Sequence, residues 1–159
     1  MYLNKINLFL VFSVCLIFFF LAYYDLKSYE VKIIDGDTIN INGEKIRFSG
    51  IDTPELAQTC KRDNEVILCG VHARKLLIDK IGNNKVKCIR EGKDQYKRTL
   101  AECFVNNISL SSYLVKKGYA FAYRKYSKKF VNEENYARIN NKGMWSMDFE
   151  YPWNYRRNN

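Results

Sequence analysis

The dipeptide Asn42-Gly43 constrains the fold of this chain more than any other pair of residues. Asn and Gly accept positive φ at both central positions of a type I′ turn, whose twist matches two antiparallel strands. On one side stands Thr38-Ile39-Asn40-Ile41, and on the other Lys45-Ile46-Arg47-Phe48 running on toward Ile51, both with a two-residue period. Alternation places Ile39 and Ile41 on one face, with Ile46 and Phe48 following the same rule on the return strand, so a one-residue slip would turn the apolar set outward. The stretch from Tyr29 to Ile34 is predicted as a further strand ahead of this hairpin.

The segment after Glu55 is polar, carries Cys60 and Cys69, and is predicted as a loop that a disulfide would staple. Val71, Leu76, Leu77, Ile78 and Ile81 follow helical spacing and stop at Gly82. Residues 85–90 and 99–105 read as a second strand pair, with Cys88 and Cys103 about equally far from the middle of the connection. A short helix is expected from Ser109 to Lys117, closed by Gly118, and an extended aromatic and basic stretch from Tyr119 to Tyr126. A last helix is predicted from Asn132 as N-cap, with Glu133 and Glu134 favourably placed against its dipole, to Gly143. Five strands interleaved with about three helices suit an α+β fold built on a small closed barrel of the oligonucleotide-binding type.

Ile6 to Tyr24 is almost wholly apolar and stands apart from this domain. It is read as a signal-anchor or transmembrane segment, giving a division into 1–27 and a folded domain over 28–159. Lys5 precedes the run, so the N-terminus is expected to stay cytoplasmic and the domain to be exported. Leu21-Ala22-Tyr23-Tyr24 puts bulky rings where a signal peptidase needs small residues, which favours an uncleaved anchor over secretion. All 17 acidic residues and all but one of the 26 basic ones follow Tyr24, so the positive charge belongs to the domain. Anionic lipid or a polyanionic substrate would both answer to it.

Of five cysteines, Cys15 lies in the apolar run and reads as a small hydrophobe. Cys60, Cys69, Cys88 and Cys103 are an even set in an exported domain, which favours two disulfides. Zinc is disfavoured, because there is no C-x-x-C pair and no histidine beside a second cysteine pair. His72, the one histidine, falls on the helix after Cys69-Gly70 and is expected at the surface.

The residues that carry chemistry are concentrated in Asp35-Gly36-Asp37-Thr38, Arg47 and Asp52-Thr53-Pro54-Glu55. A phosphodiester resists nucleophiles because its oxygens are negative, so a site that hydrolyses it must neutralise charge and position a water. Asp37 and Asp52 are suited to a hard, oxygen-seeking cation such as Ca²⁺, and Asp35 to steadying the turn or a metal-bound water. Arg47 and Arg98 offer the bidentate geometry that phosphate oxygens accept.

I-I-D-G-D-T, I-R-F-S-G-I-D-T-P-E and D-Q-Y-K-R-T-L-A at 94–101, followed by Lys117-Gly118-Tyr119-Ala120 and the stretch from Glu134 to Trp145, resemble the staphylococcal nuclease family. The cysteines and the closing Tyr151-Pro152-Trp153 with Arg156 resemble an exported bacterial branch of it. The resemblance implies a calcium-dependent nuclease acting on DNA and RNA with little sequence preference and leaving 3′-phosphate ends. It implies Ca²⁺ on Asp37, Asp52 and the Thr53 carbonyl, Glu55 on the attacking water, and Arg47 and Arg98 on the phosphate. Tyr96, Lys97, Tyr123 and Tyr126 are the implied nucleic-acid contacts, with core packing an equal reading for Tyr123. Lys97 is a departure: it stands where the family has glycine before the second arginine, and it is strained if that position needs positive φ. The alternative is a catalytically weak, membrane-anchored nucleic-acid-binding module. No protein partner is evident and a monomer in the bacterial envelope is expected.

Overall fold

Asn42 and Gly43 both adopt positive φ, 51° and 91°, and join β2 (Thr38–Ile41) to β3 (Glu44–Phe48). The register sets Ile39 opposite Ile46 and Thr38 opposite Arg47, and β1 (Val31–Ile33) pairs antiparallel with β2. The computed structural model describes residues 10–20 and 29–159. Two units are distinguished, Met1–Glu30 and Val31–Asn159.

In the first unit, residues 10–20 form a helix, α1, with exposed apolar side chains such as Phe12 and Phe19. Among the described residues no helix is long and apolar enough to cross a membrane. The rest of the expected membrane segment over 1–27 lies outside the described residues.

The second unit carries a mixed sheet in the order β1-β2-β3-β8-β7, where β7 is Lys87–Lys93 and β8 is Thr99–Val105. β3 and β8 run parallel and the other neighbours antiparallel, while short β9 (Ile108–Ser109) pairs with β8. Ile39, Ile46, Phe48, Leu77, Val105 and Leu114 are among the buried residues of the main core. The Cys88–Cys103 disulfide joins register partners of β7 and β8.

The expected closed five-stranded barrel is corrected to an open mixed sheet, because the outermost strands β1 and β7 are not paired with each other. Two smaller sheets accompany it. β4 (Ile51–Asp52) pairs with β10 (Phe121–Ala122), and β5 (Thr59–Arg62) lies between β6 (Glu65–Leu68) and β11 (Asp148–Phe149). The first departure has a local cause at Gly50, whose φ of 73° breaks the strand expected to run on to Ile51. A Cβ there would also lie 3.2 Å from the Phe130 ring. The second corrects the expected loop after Glu55: Asp63 and Asn64 take φ of 49° and 67°, turning that segment into a hairpin. The Cys60–Cys69 disulfide joins β5 to the start of α2 (Cys69–Ile81).

α3 (Leu110–Lys116) is capped by the Ser109 hydroxyl, which accepts from the Ser112 N–H. α4 (Val131–Ile139) begins beyond Phe130 rather than at Asn132, with Glu133 and Glu134 in its first turn as expected. A 3-10 turn spans Gly143–Ser146, and only Phe121–Ala122 of the stretch 119–126 is strand. One further helix, α5 (Pro152–Asn158), was not foreseen, so the domain has four α-helices instead of three. Phe121, Met144, Cys60 and Cys69 bury a second core, against which Trp145, Tyr151 and Trp153 pack.

Candidate active site

The register of β2 on β3 builds the first half of the site. Thr38 faces Arg47 across the hairpin and the Phe48 N–H donates to the Asp37 carbonyl at 2.7 Å, so Asp37 stands beside the start of the Arg47 side chain. Leaving the sheet at Gly50 then brings Asp52, on β4, to the same place. Arg47 Nη1 donates to Asp37 Oδ1 and Nη2 to Asp52 Oδ1, each at 2.8 Å. One guanidinium thus spans two carboxylates that are 2% and 0% exposed.

The surrounding backbone fixes the pair. Asp35 Oδ1 accepts from the Asp37 N–H at 3.0 Å, and Asp37 Oδ2 accepts from the Thr53 N–H at 3.3 Å. Gly36 is required here: a Cβ would sit 2.9 Å from both the Ala73 Cβ and the Thr53 Oγ1. Burial, joined by the charges of Asp35 and Asp52, pushes the Asp37 carboxyl up to about 7 despite Arg47. Asp37 and Asp52, beside the Thr53 backbone, form a compact oxygen donor set, with Arg47 on both carboxylates and Arg156 on Asp52. That chemistry fits a hard divalent cation.

Glu55 follows Pro54 and is braced from behind. Gln58, fully buried, accepts from the Glu55 N–H at 3.2 Å, donates its own N–H to the Glu55 carbonyl at 2.8 Å, and accepts at its carbonyl from the Cys69 N–H at 2.9 Å. Gly70 lets α2 reach this turn, since a Cβ on it would lie 1.9 Å from the Glu55 carbonyl oxygen.

Sequence reading overlooked Arg156 as a member of this group. From α5 its Nη2 donates to Asp52 Oδ2 at 2.7 Å and its Nη1 to Glu55 Oε1 at 2.9 Å. The available signal was Pro152, a residue favoured in the first turn of a helix, preceding two arginines at helical spacing from the aromatic pair.

Arg98 is placed differently from Arg47. Its Nε donates to Asp94 Oδ2 at 2.6 Å, its backbone N–H to Asp94 Oδ1 at 2.9 Å, and its guanidinium lies 5.4 Å from the Tyr96 ring centre. Leu100, two positions further along β8, is the parallel partner of Arg47. Arg98 lines a cleft of about 560 Å³ with Lys45, Lys93, Tyr96, Lys97 and the ion pair of Arg90 with Glu44. Lys97 has φ 62°, so the position does demand the left-handed conformation. Tyr126 and Tyr96 are about 70% exposed, whereas Tyr123 is half-buried, its ring parallel to Trp153 at 6.2 Å. His72 is exposed as expected, stacked on Tyr119.

Residues 45–147 match the family described as staphylococcal nuclease homologue. The chain belongs to the staphylococcal nuclease family. The matched span of this nuclease-family chain holds Arg47, Asp52, Thr53, Glu55 and Arg98, and excludes Asp35, Asp37 and Arg156. A protein named as a probable staphylococcal-like nuclease in Oryza sativa subsp. japonica is 30% identical over 86% of this chain and 36% of its own length. The Haemophilus influenzae protein described as an uncharacterized endonuclease is 32% identical over 73% of this chain and 64% of its own. A micrococcal nuclease of Shigella flexneri is 29% identical over 86% of this chain and 83% of its own. The chain therefore spans about a third of the rice relative and about five-sixths of the Shigella one.

Proposed function

We propose that this chain is a calcium-dependent nuclease that hydrolyses DNA and RNA with little sequence preference, leaving 3′-phosphate ends. The observation that carries the reading is the Arg47 guanidinium spanning buried Asp37 and Asp52, with Glu55 tied to Asp52 through Arg156. The relatives named as nucleases support it, as does the basic cleft beside Arg98.

Asp37, Asp52 and the Thr53 carbonyl would hold the Ca²⁺, which when bound supplies charge neutralisation and polarises phosphate and water. Glu55 accepts a proton from the attacking water as its oxygen forms a bond to phosphorus. The bond to the 5′ oxygen breaks, and that oxygen takes a proton from solvent. Arg47 spends two of its five N–H donors on carboxylates and keeps the others for phosphate. Arg98 adds positive charge from the cleft side, where exposed Tyr96 and Tyr126 suit stacking with bases and Lys97 suits backbone contact.

Digestion of DNA and RNA by the purified full chain, in calcium or in chelator, tests the reading. Glu55→Ala and Arg98→Ala are each expected to lower kcat about a hundredfold or more while remaining folded. Undiminished cleavage by either variant would remove that residue from the mechanism. One observation favours the catalytically weak binding module: Arg98 is held by Asp94 next to a lysine in left-handed conformation. Gel retardation without calcium-dependent degradation would select it. The envelope location and membrane anchoring belong to the same proposal, supported by the apolar run over 6–24 and the four paired cysteines, and cell fractionation checks them.

A further inference from the structure

Arg156 is anchored with more care than a surface ion pair needs. α5 starts at buried Pro152, and Trp153 beside it stacks on Tyr151 at 4.6 Å and lies parallel to Tyr123 at 6.2 Å. The link from β11 into the helix is fixed by Gln58, whose Nε2 donates to the Glu150 carbonyl at 2.6 Å. The same Gln58 side chain accepts from the Glu55 N–H. One buried amide therefore sets the position of both Glu55 and the segment that carries Arg156, 101 residues away in sequence. The guanidinium then closes the circuit by bridging Glu55 Oε1 and Asp52 Oδ2.

Resting on the nuclease reading, we propose that Arg156 is a positioning residue for the hydrolysis, holding the Glu55 carboxylate at a fixed place relative to Asp52. Asp52 is already balanced on its other oxygen by Arg47, and the Glu55 side chain is 44% exposed, so the Glu55 arm of the bridge adds little to stability. What it removes is the rotational freedom of a long carboxylate that must meet a water at one point. The bridge uses Oε1 and leaves Oε2 for that water. A lysine ammonium lacks the planar fork that spans two carboxylates.

Kinetics of the full chain with Arg156→Ala and Arg156→Lys test this, with and without added guanidinium ion at concentrations that leave the fold intact. The Ala variant is expected to lose about tenfold to a hundredfold in kcat with KM for DNA nearly unchanged. Lysine is expected to restore only part of the loss, and guanidinium ion to rescue the Ala variant but not Arg47→Ala. A variant with lower melting temperature and unaltered kcat would make Arg156 a structural ion pair and overturn the proposal. A rise in KM at constant kcat would make it a phosphate anchor and overturn it equally. Inactive wild-type protein would sink the nuclease reading and this inference together, whereas an active wild type with an unimpaired Ala variant would sink the inference alone.

Discussion

Asp37 concentrates the cost of the site in one residue. It is fully buried and its carboxyl is pushed up to about 7 from 3.8, so without a cation the folded protein holds a proton there more firmly than the unfolded chain does. Its contribution to stability is complete below about pH 4 and is lost as pH rises through 7. In chelator, Asp37→Asn is expected to gain on wild type as pH is raised from 5 to 8; a constant difference in urea unfolding across that range would contradict the assignment. Lys97 is a second local cost, because an L-residue in the left-handed region gives up about 1 kcal/mol or more. Lys97→Gly should raise the melting temperature by a few degrees despite the greater freedom glycine has when unfolded. An unchanged or lower value would mean that the lysine makes compensating contacts.

Elements meet at the site through glycines. Gly70, the second residue of α2, stands where a Cβ would fall 1.9 Å from the Glu55 carbonyl, so helix and turn cannot keep their positions around a larger residue. Gly70→Ala is expected to destabilise the domain by about 1–3 kcal/mol and to lower kcat by displacing Glu55. Wild-type kcat in a folded Gly70→Ala protein would show that the turn is not held by α2. Gly50 works by conformation: the turn it allows moves Asp52 out of β3 and onto β4, within reach of Arg47. The hairpin of β5 and β6 escaped sequence reading because β5 is polar and the apolar Val66-Ile67-Leu68 of β6 is consecutive, so neither side of Asp63-Asn64 shows a two-residue period. Its pairing with β11, Lys61 with Asp148 and Cys60 with Phe149, is a long-range tertiary gain that local pattern does not report.

At the scale of the molecule, the N-terminal and C-terminal ends of the domain are brought to one site. The Cys60–Cys69 disulfide closes the hairpin onto α2, directly behind the Glu55 turn. Replacing both cysteines by serine should cost about 2–4 kcal/mol and lower activity more than replacing Cys88 and Cys103, whose bridge lies within the main sheet. Equal activity losses in the two double variants would argue against that coupling. The sequence by itself determined the hairpin register, the four carboxylates, Arg47 and the cysteine set, because each depends on residues near one another or on a two-residue period. Tertiary structure alone decided that the sheet stays open, that Arg98 is held by Asp94 in the basic cleft, and that Arg156 enters the acidic site. Those outcomes depend on which distant surfaces bury each other, and for Arg156 on a buried Gln58 that ties Glu55 to the chain's last helix.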